Sequence, residues 1–185
     1  MLLNSSNSLA LASKCPDFSL VSVDNQYYER DDLIEGKKGL VVAFWCNHCP
    51  YVKAVEERFL ALSREFLKKN IQFVTICSND SAFYPIDAPA ELHKHWLEKN
   101  FSFPYLVDDT QKVARRFDAQ CTPDIFVFDQ ELRLYYHGQI DDNWKDAHVV
   151  KKHDLNDALT ALLDGQNRPA IQKPTIGCSI KWKNP

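Results

Sequence analysis

The chain has 185 residues, of which 45% are apolar and 25% are charged, a composition typical of one globular domain. A net charge of -3 and scattered basic residues argue against a nucleic-acid partner. No apolar run approaches the ~20 residues that span a bilayer, so we expect no membrane partner either.

The first elements of the chain follow from its apolar pattern. Residues 1–14 lack the basic start and the continuous apolar stretch of a secretory signal, so we expect a flexible leader on a cytoplasmic protein. Residues 17–28 alternate apolar and polar side chains around Asp24 and Asn25, which predicts a β-hairpin. A run of β-branched and aromatic residues at 39–45 predicts a buried central strand.

A β-α-β unit is predicted in the middle of the chain. From Pro50 onwards, apolar side chains recur on one helical face, at positions 52, 55, 59, 62 and 66. Residues 71–77 then form a second apolar run, typical of a buried strand. A strand, a helix and a strand within about 40 residues predict a right-handed crossover between parallel strands.

The second half of the chain continues the alternation of strands and helices. It predicts a helix over 89–100, a strand at FPYLVD, and a short helix at TQKVARRFDA capped by Asp109 or Thr110. DIFVFD and LRLYYHGQI predict antiparallel strands, and DLNDALTALLDG predicts a helix that ends at its final glycine. We therefore expect an α/β sandwich with a mixed central sheet over residues 15–165, and a tail over 166–185 packed on or beside it. A solvated loop after the last strand is expected to hold His137, Asp141 and Asp142.

Two closely spaced thiols carry the chemistry that this sequence predicts. Six cysteines are present, but only Cys46 and Cys49 form a Cys-x-x-Cys pair, which beside a β-α-β unit is typical of redox proteins. A structural zinc site needs four ligands, and no second pair has suitable spacing, so we expect no metal. The pair lies where a strand ends and a helix begins, and the unpaired N–H groups of a helix start stabilise a thiolate.

Several motifs together resemble the thioredoxin superfamily. VVAFW, the two cysteines, the amphipathic helix and a later Thr122-Pro123 carry this resemblance, and the hairpin CPDFSLVSVDNQYY is similar to the peroxiredoxin or redoxin branch, the alkyl hydroperoxide reductase and thiol-specific antioxidant proteins. NHCPYVK, TPDIFVFD, YHGQIDDN and TIGCSIKW resemble bacterial thioredoxin-family, peroxiredoxin-like proteins over residues 15–183. The resemblance implies a thioredoxin-like α/β/α sandwich with an N-terminal hairpin extension and an irregular C-terminal tail.

The resemblance leaves two alignments of the thiol pair. In one, Cys46 attacks and Cys49 resolves; in the other, an ungapped match of AFW to the residues before the thioredoxin motif makes Cys49 the attacker. Pro50 favours the second, because proline prefers the first helical position and so places Cys49 at the N-cap. His48 precedes Cys49 as in the Cys-Pro-His-Cys motif of the oxidase DsbA, and we expect it to stabilise the thiolate. The alternative is a solvent-exposed loop histidine.

The remaining site residues are implied by the same resemblance. Thr122-Pro123 matches the cis-proline loop that faces the cysteines in this superfamily. Catalytic roles are implied for Cys46, His48, Cys49 and Pro123, and substrate contacts for Trp45, Asn47, Pro50 and Thr122. Cys121, which lies just before this loop, and Cys178 in the tail are additional redox candidates.

The chain also departs from its relatives. Peroxiredoxins carry threonine or serine at the position of Cys46, proline at Val42 and an arginine near Pro123, so efficient peroxidase activity is not expected. Thioredoxins carry a buried aspartate where this chain has Ala43. The proton acceptor here is therefore expected to be water, His48 or another acid.

These features predict a cytoplasmic thiol–disulfide oxidoreductase that cycles Cys46 and Cys49 between dithiol and disulfide and uses no cofactor. The expected partners are a protein or small-molecule disulfide and a dithiol donor such as thioredoxin or glutathione. Two alternatives remain: a peroxiredoxin-like thiol peroxidase, and a thioredoxin-fold protein that binds Cu(I) or another metal through thiolates and imidazole.

Overall fold

The structure is a computed structural model that describes residues 2–4, 9–170 and 172–183. In chain order the strands are β1 (Leu2–Asn4), β2 (Ser19–Ser22), β3 (Tyr27–Glu29), β4 (Gly39–Phe44), β5 (Ile71–Cys77), β6 (Tyr105–Val107), β7 (Cys121–Thr122), β8 (Asp124–Asp129), β9 (Leu134–Gly138) and β10 (Ile176–Ser179). The helices are α1 (Arg30–Ile34), α2 (Pro50–Leu67), α3 (Pro89–Glu98), α4 (Lys112–Phe117) and α5 (Asp154–Leu163). None of these described helices, of which α2 is the longest with 18 residues, has the length and apolar character that a membrane crossing requires.

Seven strands form one mixed sheet in the order β3-β2-β6-β5-β4-β8-β9. β4 and β5 run parallel and are joined by α2, which confirms the predicted β-α-β unit. β4 is buried along its whole length because it lies between β5 and β8 and carries apolar side chains to both faces. The β2–β3 hairpin and the antiparallel pair β8–β9 lie where the sequence predicted them.

Apolar side chains cover both faces of this sheet. On one face, α2, α3 and α5 contribute Phe59, Leu92 and Leu159 to a buried cluster that includes Cys46 and Cys49. On the other face, α1 and α4 pack a second cluster that contains Leu33, Val113 and Phe117. Helices on both faces of a mixed sheet confirm the predicted thioredoxin-like α/β/α sandwich, and they place the two thiols in one of its layers.

The start of α4 differs from the prediction. Its N-cap is Gln111, in the left-handed conformation with a φ of 59°, rather than Asp109 or Thr110. Asp108 is fully buried and accepts a hydrogen bond from the Ala114 N–H at 2.9 Å. This carboxylate satisfies a helix-start donor that a cap side chain would otherwise serve, so the helix can begin one residue later.

The two ends of the described chain meet in a second, three-stranded sheet of order β1-β10-β7. The tail was predicted to be irregular, but β10 pairs antiparallel with both β7 and β1. Its four residues, IGCS, carry no alternation, so the strand depends on partners distant in the chain. Within the predicted flexible leader, residues 2–4 form β1 and Lys14 pairs with Arg133, while residues 5–8 lie outside the described part.

Candidate active site

Cys49 occupies the junction between β4 and α2. It is the N-cap of α2, with an extended backbone (φ -70°, ψ 123°), and Pro50 takes the first helical position, as its residue type predicted. The Cys49 carbonyl accepts a helical hydrogen bond from the Lys53 N–H at 3.0 Å. The sulfur therefore lies at the positive end of a long helix, where a negative charge is favoured.

The Cys49 sulfur is buried but surrounded by polar groups. As a thiol it donates to the Thr122 carbonyl oxygen, 3.0 Å away. Hydrogen bonds from the Cys46 thiol, the Val52 N–H and Cys178 favour the thiolate and outweigh the opposing effect of burial. Together they lower the pKa of Cys49 from 9.0 to about 5, so this sulfur is ionised at neutral pH.

Cys46 has the opposite character. Its side chain has no exposed surface, and its sulfur lies 3.2 Å from the Thr122 hydroxyl oxygen. Burial, together with the hydrogen bond that it shares with Cys49, raises the pKa of Cys46 well above its ordinary value. The two thiols therefore differ at neutral pH: Cys49 carries the charge, and Cys46 keeps the proton that stabilises it.

Asp87 holds the turn between the two cysteines, although no sequence motif marks it. Its buried carboxylate accepts hydrogen bonds from the N–H groups of Asn47 at 2.8 Å and His48 at 3.2 Å. The Asn79 amide lies 2.9 Å and the His48 Nδ1 2.5 Å from its second oxygen. Burial raises the pKa of Asp87, but these donors outweigh it and leave the pKa below the ordinary 3.8. This buried carboxylate belongs to a short 3₁₀ turn, Pro85–Asp87, and its role in the structure is to hold the main chain between the two cysteines.

His48 faces Asp87, and this corrects both expectations for it. The donors to the Cys49 sulfur are the thiol and main-chain groups named above, whereas the His48 Nδ1 bonds Asp87. The ring also stacks on Tyr84, with 4.8 Å between ring centroids, and its side chain is 18% exposed, so it is not a solvated loop residue. Among the described residues its Nε2 has no hydrogen-bond partner.

The Thr122-Pro123 loop lies against the thiol pair. The peptide bond between these residues is cis. The Thr122 carbonyl contacts Cys49, and the Thr122 hydroxyl contacts Cys46, so one residue touches both sulfurs. Thr122 is 2% exposed, and in this conformation its main chain is closed to a substrate.

Pro123 borders a small cavity. Tyr51 of α2, Trp144 and the tail residues Thr175 and Ile176 line the same space, whose volume is about 60 Å³. A cavity of that size has room for about two water molecules. It lies beside the loop, but it is far too small for a peptide or a disulfide substrate.

Three residues expected to bind substrate have different environments. Trp45 has no exposed surface, stacks on Phe59 with 4.8 Å between ring centroids and contacts Glu56 through Nε1, so it is a core residue rather than a substrate contact. Asn47 is 7% exposed, and its amide donates to two carbonyl groups of the loop and helix beside it. Pro50 is exposed at the start of α2.

The two additional redox candidates are separated by their surroundings. Cys121 is fully buried in β7, with its sulfur 3.6 Å from the Pro123 carbonyl oxygen. Cys178 lies on β10 opposite Thr122 and packs against the buried cluster that contains Cys49. Burial and its interaction with Cys49 raise the pKa of Cys178 to about 11. The structure therefore brings Cys178, from the tail, close to Cys49.

Three side chains at this site lie close enough together to be considered as metal ligands. Ligand atoms of Cys46, His48 and Asp87 lie within 4.8 Å of one another. However, His48 and Asp87 are already bonded to each other, and the Asp87 carboxylate also accepts from main-chain N–H groups of the turn. An ion would have to break these bonds, so the geometry favours a hydrogen-bonded turn over a metal-carrier site.

The expectation of a solvated loop around His137 is wrong. His137 lies inside β9, is 2% exposed and bonds Asp124 through Nε2 at 2.7 Å. Asp141 is buried and forms an ion pair with Arg58, and only Asp142 of the three residues is exposed. All five residues of β9 are buried, so the alternation that would have marked one solvated face is absent.

Comparison with known proteins identifies the family of this chain and agrees with its fold. A sequence profile of the AhpC/TSA family matches residues 11–137. An uncharacterized conserved protein from Geobacillus kaustophilus is 40% identical, with a TM-score of 0.92 over 99% of this chain and 97% of its own. A hypothetical protein from Sinorhizobium meliloti is 34% identical, with a TM-score of 0.92 over 98% of this chain and 99% of its own.

More distant structures share the fold. Peroxidoxin BcpB from Mycobacterium tuberculosis is 19% identical, with a TM-score of 0.60 over 84% of this chain and 96% of its own. A search of curated proteins found no match. Since the profile match spans most of the sandwich and ends within β9, the chain belongs to the AhpC/TSA family.

Proposed function

We propose that the protein is a thiol–disulfide oxidoreductase in which Cys49 attacks and Cys46 resolves. The family and the thioredoxin-like fold support a redox role in general. The observation that carries the specific assignment is the position of Cys49 at the N-cap of α2, with one residue, Thr122, in contact with its sulfur and with that of Cys46. Interaction between the two thiols lowers the pKa of Cys49 and leaves Cys46 protonated.

The proposed reaction is an exchange of two thiols for one disulfide. The Cys49 thiolate attacks a sulfur of the substrate RSSR, the S–S bond breaks, and RS⁻ leaves with Cys49 bound to SR. The Cys46 thiol passes its proton to a leaving RS⁻, and its sulfur attacks Cys49. The second RS⁻ leaves, and a Cys46–Cys49 disulfide remains. A dithiol donor then reduces this disulfide, and the reverse direction oxidises a dithiol substrate.

The hydrogen bonds around the site support these roles. The Thr122 hydroxyl, 3.2 Å from the Cys46 sulfur, is a partner for the proton of this thiol. Asp87 holds the main chain of Asn47 and His48, and thereby fixes the turn that keeps the two sulfurs together. The substrate disulfide, the dithiol donor and the cytoplasmic location stay predictions.

A peroxidase is the second candidate, because the family match favours it. A thiolate with a pKa of about 5 reacts with peroxide to give a sulfenic acid whenever an opening of the buried site admits the peroxide. The groups that stabilise the Cys49 charge are thiol and main-chain donors, and no arginine is among them. Without a guanidinium near the reacting oxygen, we expect slow peroxide turnover relative to disulfide exchange.

Alkylation across pH tests the assignment of the attacking sulfur. We expect iodoacetamide to modify Cys49 first, with a midpoint near pH 5, while Cys46 stays unmodified at neutral pH. Peptide mapping after short exposure identifies the modified sulfur. Cys15, which is buried in the opposite layer and whose pKa burial raises, is the internal control. Earlier modification of Cys46 than of Cys49 would reverse the assignment.

A further inference from the structure

Both sulfurs of the thiol pair are closed off in this conformation. Cys46 and Cys49 each have 0% exposed surface, and the cavity beside Pro123 of the neighbouring loop is too small for a disulfide. The tail strand β10 lies over the loop that touches them. It pairs with β7 so that Cys178 stands opposite Thr122, the residue whose carbonyl oxygen Cys49 contacts.

The tail strand approaches this loop closely. A Cβ at Gly177 would lie 2.3 Å from the Thr122 carbonyl oxygen, so a side chain cannot enter without displacing the strand. One residue further on, Cys178 packs against the buried cluster that contains Cys46 and Cys49, and its N–H and thiol help to lower the pKa of Cys49. Cys49 therefore has two thiols beside it, Cys46 from its own turn and Cys178 from the tail.

We propose that Cys178 is a second resolving residue, and that a Cys49–Cys178 disulfide fastens the tail strand over the site. The proposal rests on the proposed role of Cys49 as attacker. When Cys49 carries SR after attack on RSSR, the Cys178 sulfur attacks the Cys49 sulfur. Its proton goes to the leaving RS⁻, the bond between Cys49 and SR breaks, and the new S–S bond forms. Two cysteine thiols are oxidised, and RSSR is reduced to two RSH.

The two disulfides available to Cys49 have different structural consequences. A Cys46–Cys49 bond lies within one turn and places no constraint on the tail. A Cys49–Cys178 bond joins β10 to the start of α2 and keeps the Thr122 main chain paired with the tail strand. An extended peptide that docks by strand addition needs that main chain. The fastened form therefore excludes peptide substrates, whereas the form with a Cys46–Cys49 bond allows the tail to leave.

The test uses 5,5′-dithiobis(2-nitrobenzoate), a disulfide whose released thiolate is coloured. With Cys46→Ser we expect two thiolates released for each Cys49 that reacts, and a Cys49–Cys178 linked peptide on mapping. With Cys46→Ser/Cys178→Ser we expect one thiolate and a mixed disulfide retained on Cys49. If Cys46→Ser also keeps the mixed disulfide, the resolving role of Cys178 is wrong while Cys49 remains the attacker. If Cys49 does not react in either variant, the proposed function itself is wrong.

A second measurement tests whether β10 covers the Cys49 sulfur, and it does so without removing a thiol. Gly177→Ala adds a side chain where the Thr122 carbonyl lies, so we expect the tail strand to lift and Cys49 to be alkylated about tenfold faster at pH 7. Ile176→Ala is the matched control, because that side chain is 37% exposed on the same strand, and we expect no change in the rate. Equal rates for wild type and Gly177→Ala would show that β10 does not cover the sulfur.

Discussion

The turn from Cys46 to Pro50 and the tail strand β10 touch the same sulfur and are built differently. The turn is short and is held by neighbours in the chain and by one buried carboxylate, Asp87. The tail strand is held by pairing with β7 and β1 and by side chains far from it in sequence. Under the proposed function, the turn sets most of the reactivity of Cys49 through the N-cap and Cys46, while the tail adds the smaller effect of Cys178 and covers the sulfur. Substitutions in the turn should therefore act mainly on reactivity, and substitutions in the tail mainly on access.

Removal of the Cys49 sulfur, the attacker in the proposed function, should have the largest effect. Cys49→Ser replaces a thiolate by a hydroxyl that stays protonated, so we expect disulfide exchange to fall by about a thousandfold or more. Reduction of insulin disulfides with dithiothreitol as donor measures this. Cys15→Ser, in the layer on the other side of the sheet, should keep nearly full activity. If Cys49→Ser retained activity, the turn would not contain the reactive group.

Loss of the Asp87 charge should weaken the turn. Asp87→Asn removes the charged acceptor of the His48 and Asn47 donors, and we expect the free energy of unfolding to fall by about 3 kcal/mol. Urea denaturation measures the loss. Because the folded pKa of Asp87 is lowered, its contribution is present above pH 4 and disappears as the pH falls through the folded pKa, and the variant should lack this acid dependence. Asp32→Asn, at an exposed carboxylate, is the control. An equal loss of unfolding free energy in this variant would contradict the role of Asp87.

The acidity of Cys49 should depend on its partner thiol. Cys46→Ala removes the largest stabilising hydrogen bond, so we expect the alkylation midpoint of Cys49 to rise by about one to two pH units. Cys46→Ser keeps a donor at the same place and should shift the midpoint less. Rates of iodoacetamide modification from pH 4 to 9 distinguish the two variants. Identical midpoints in both would mean that the helix start alone sets the acidity.

The smallest effect is expected from a residue that clamps the tail without touching a thiol. The Gln111 amide donates to the Lys181 carbonyl at 2.8 Å and accepts from the Lys183 N–H at 2.8 Å. Gln111→Ala should release this part of the tail and increase Cys49 alkylation at pH 7 roughly fivefold, while the midpoint rises less than in Cys46→Ala, because Cys178 affects the pKa of Cys49 less than Cys46 does. Gln130→Ala, on an exposed turn, is the control. A midpoint shift as large as that of Cys46→Ala would show that the tail sets the acidity as much as the turn does.

The turn could be predicted from sequence because its signals are local. The apolar run ending at Phe44, the helical spacing after Pro50 and the preference of proline for the first helical position together located Cys49 at the N-cap. Trp45 was placed wrongly, since a residue next to a reactive cysteine can still point into the core. Local pattern gives the position of a residue along an element more reliably than the direction of its side chain.

The residues that contact the turn or the tail could not be predicted, because folding brings them there from distant parts of the chain. Asp87 lies in a loop after β5 and Gln111 at a left-handed helix start, and neither position carries a motif. The four residues of β10 show no strand periodicity, so only their pairing reveals them. His137 was assigned to a solvated loop beyond the last strand, whereas β9 includes this residue and the fold buries it. Pairings between distant segments leave little trace in local composition.

β10 is the middle strand of its sheet, with β1 on the outer side. Leu2 pairs with Cys178 there, so segments from opposite ends of the described chain share the sheet that carries Cys178. A purification tag fused directly before Leu2 would extend a strand that pairs with β10. We therefore expect such a tag to change the alkylation rate of Cys49, and reactivity should be measured on tag-free material.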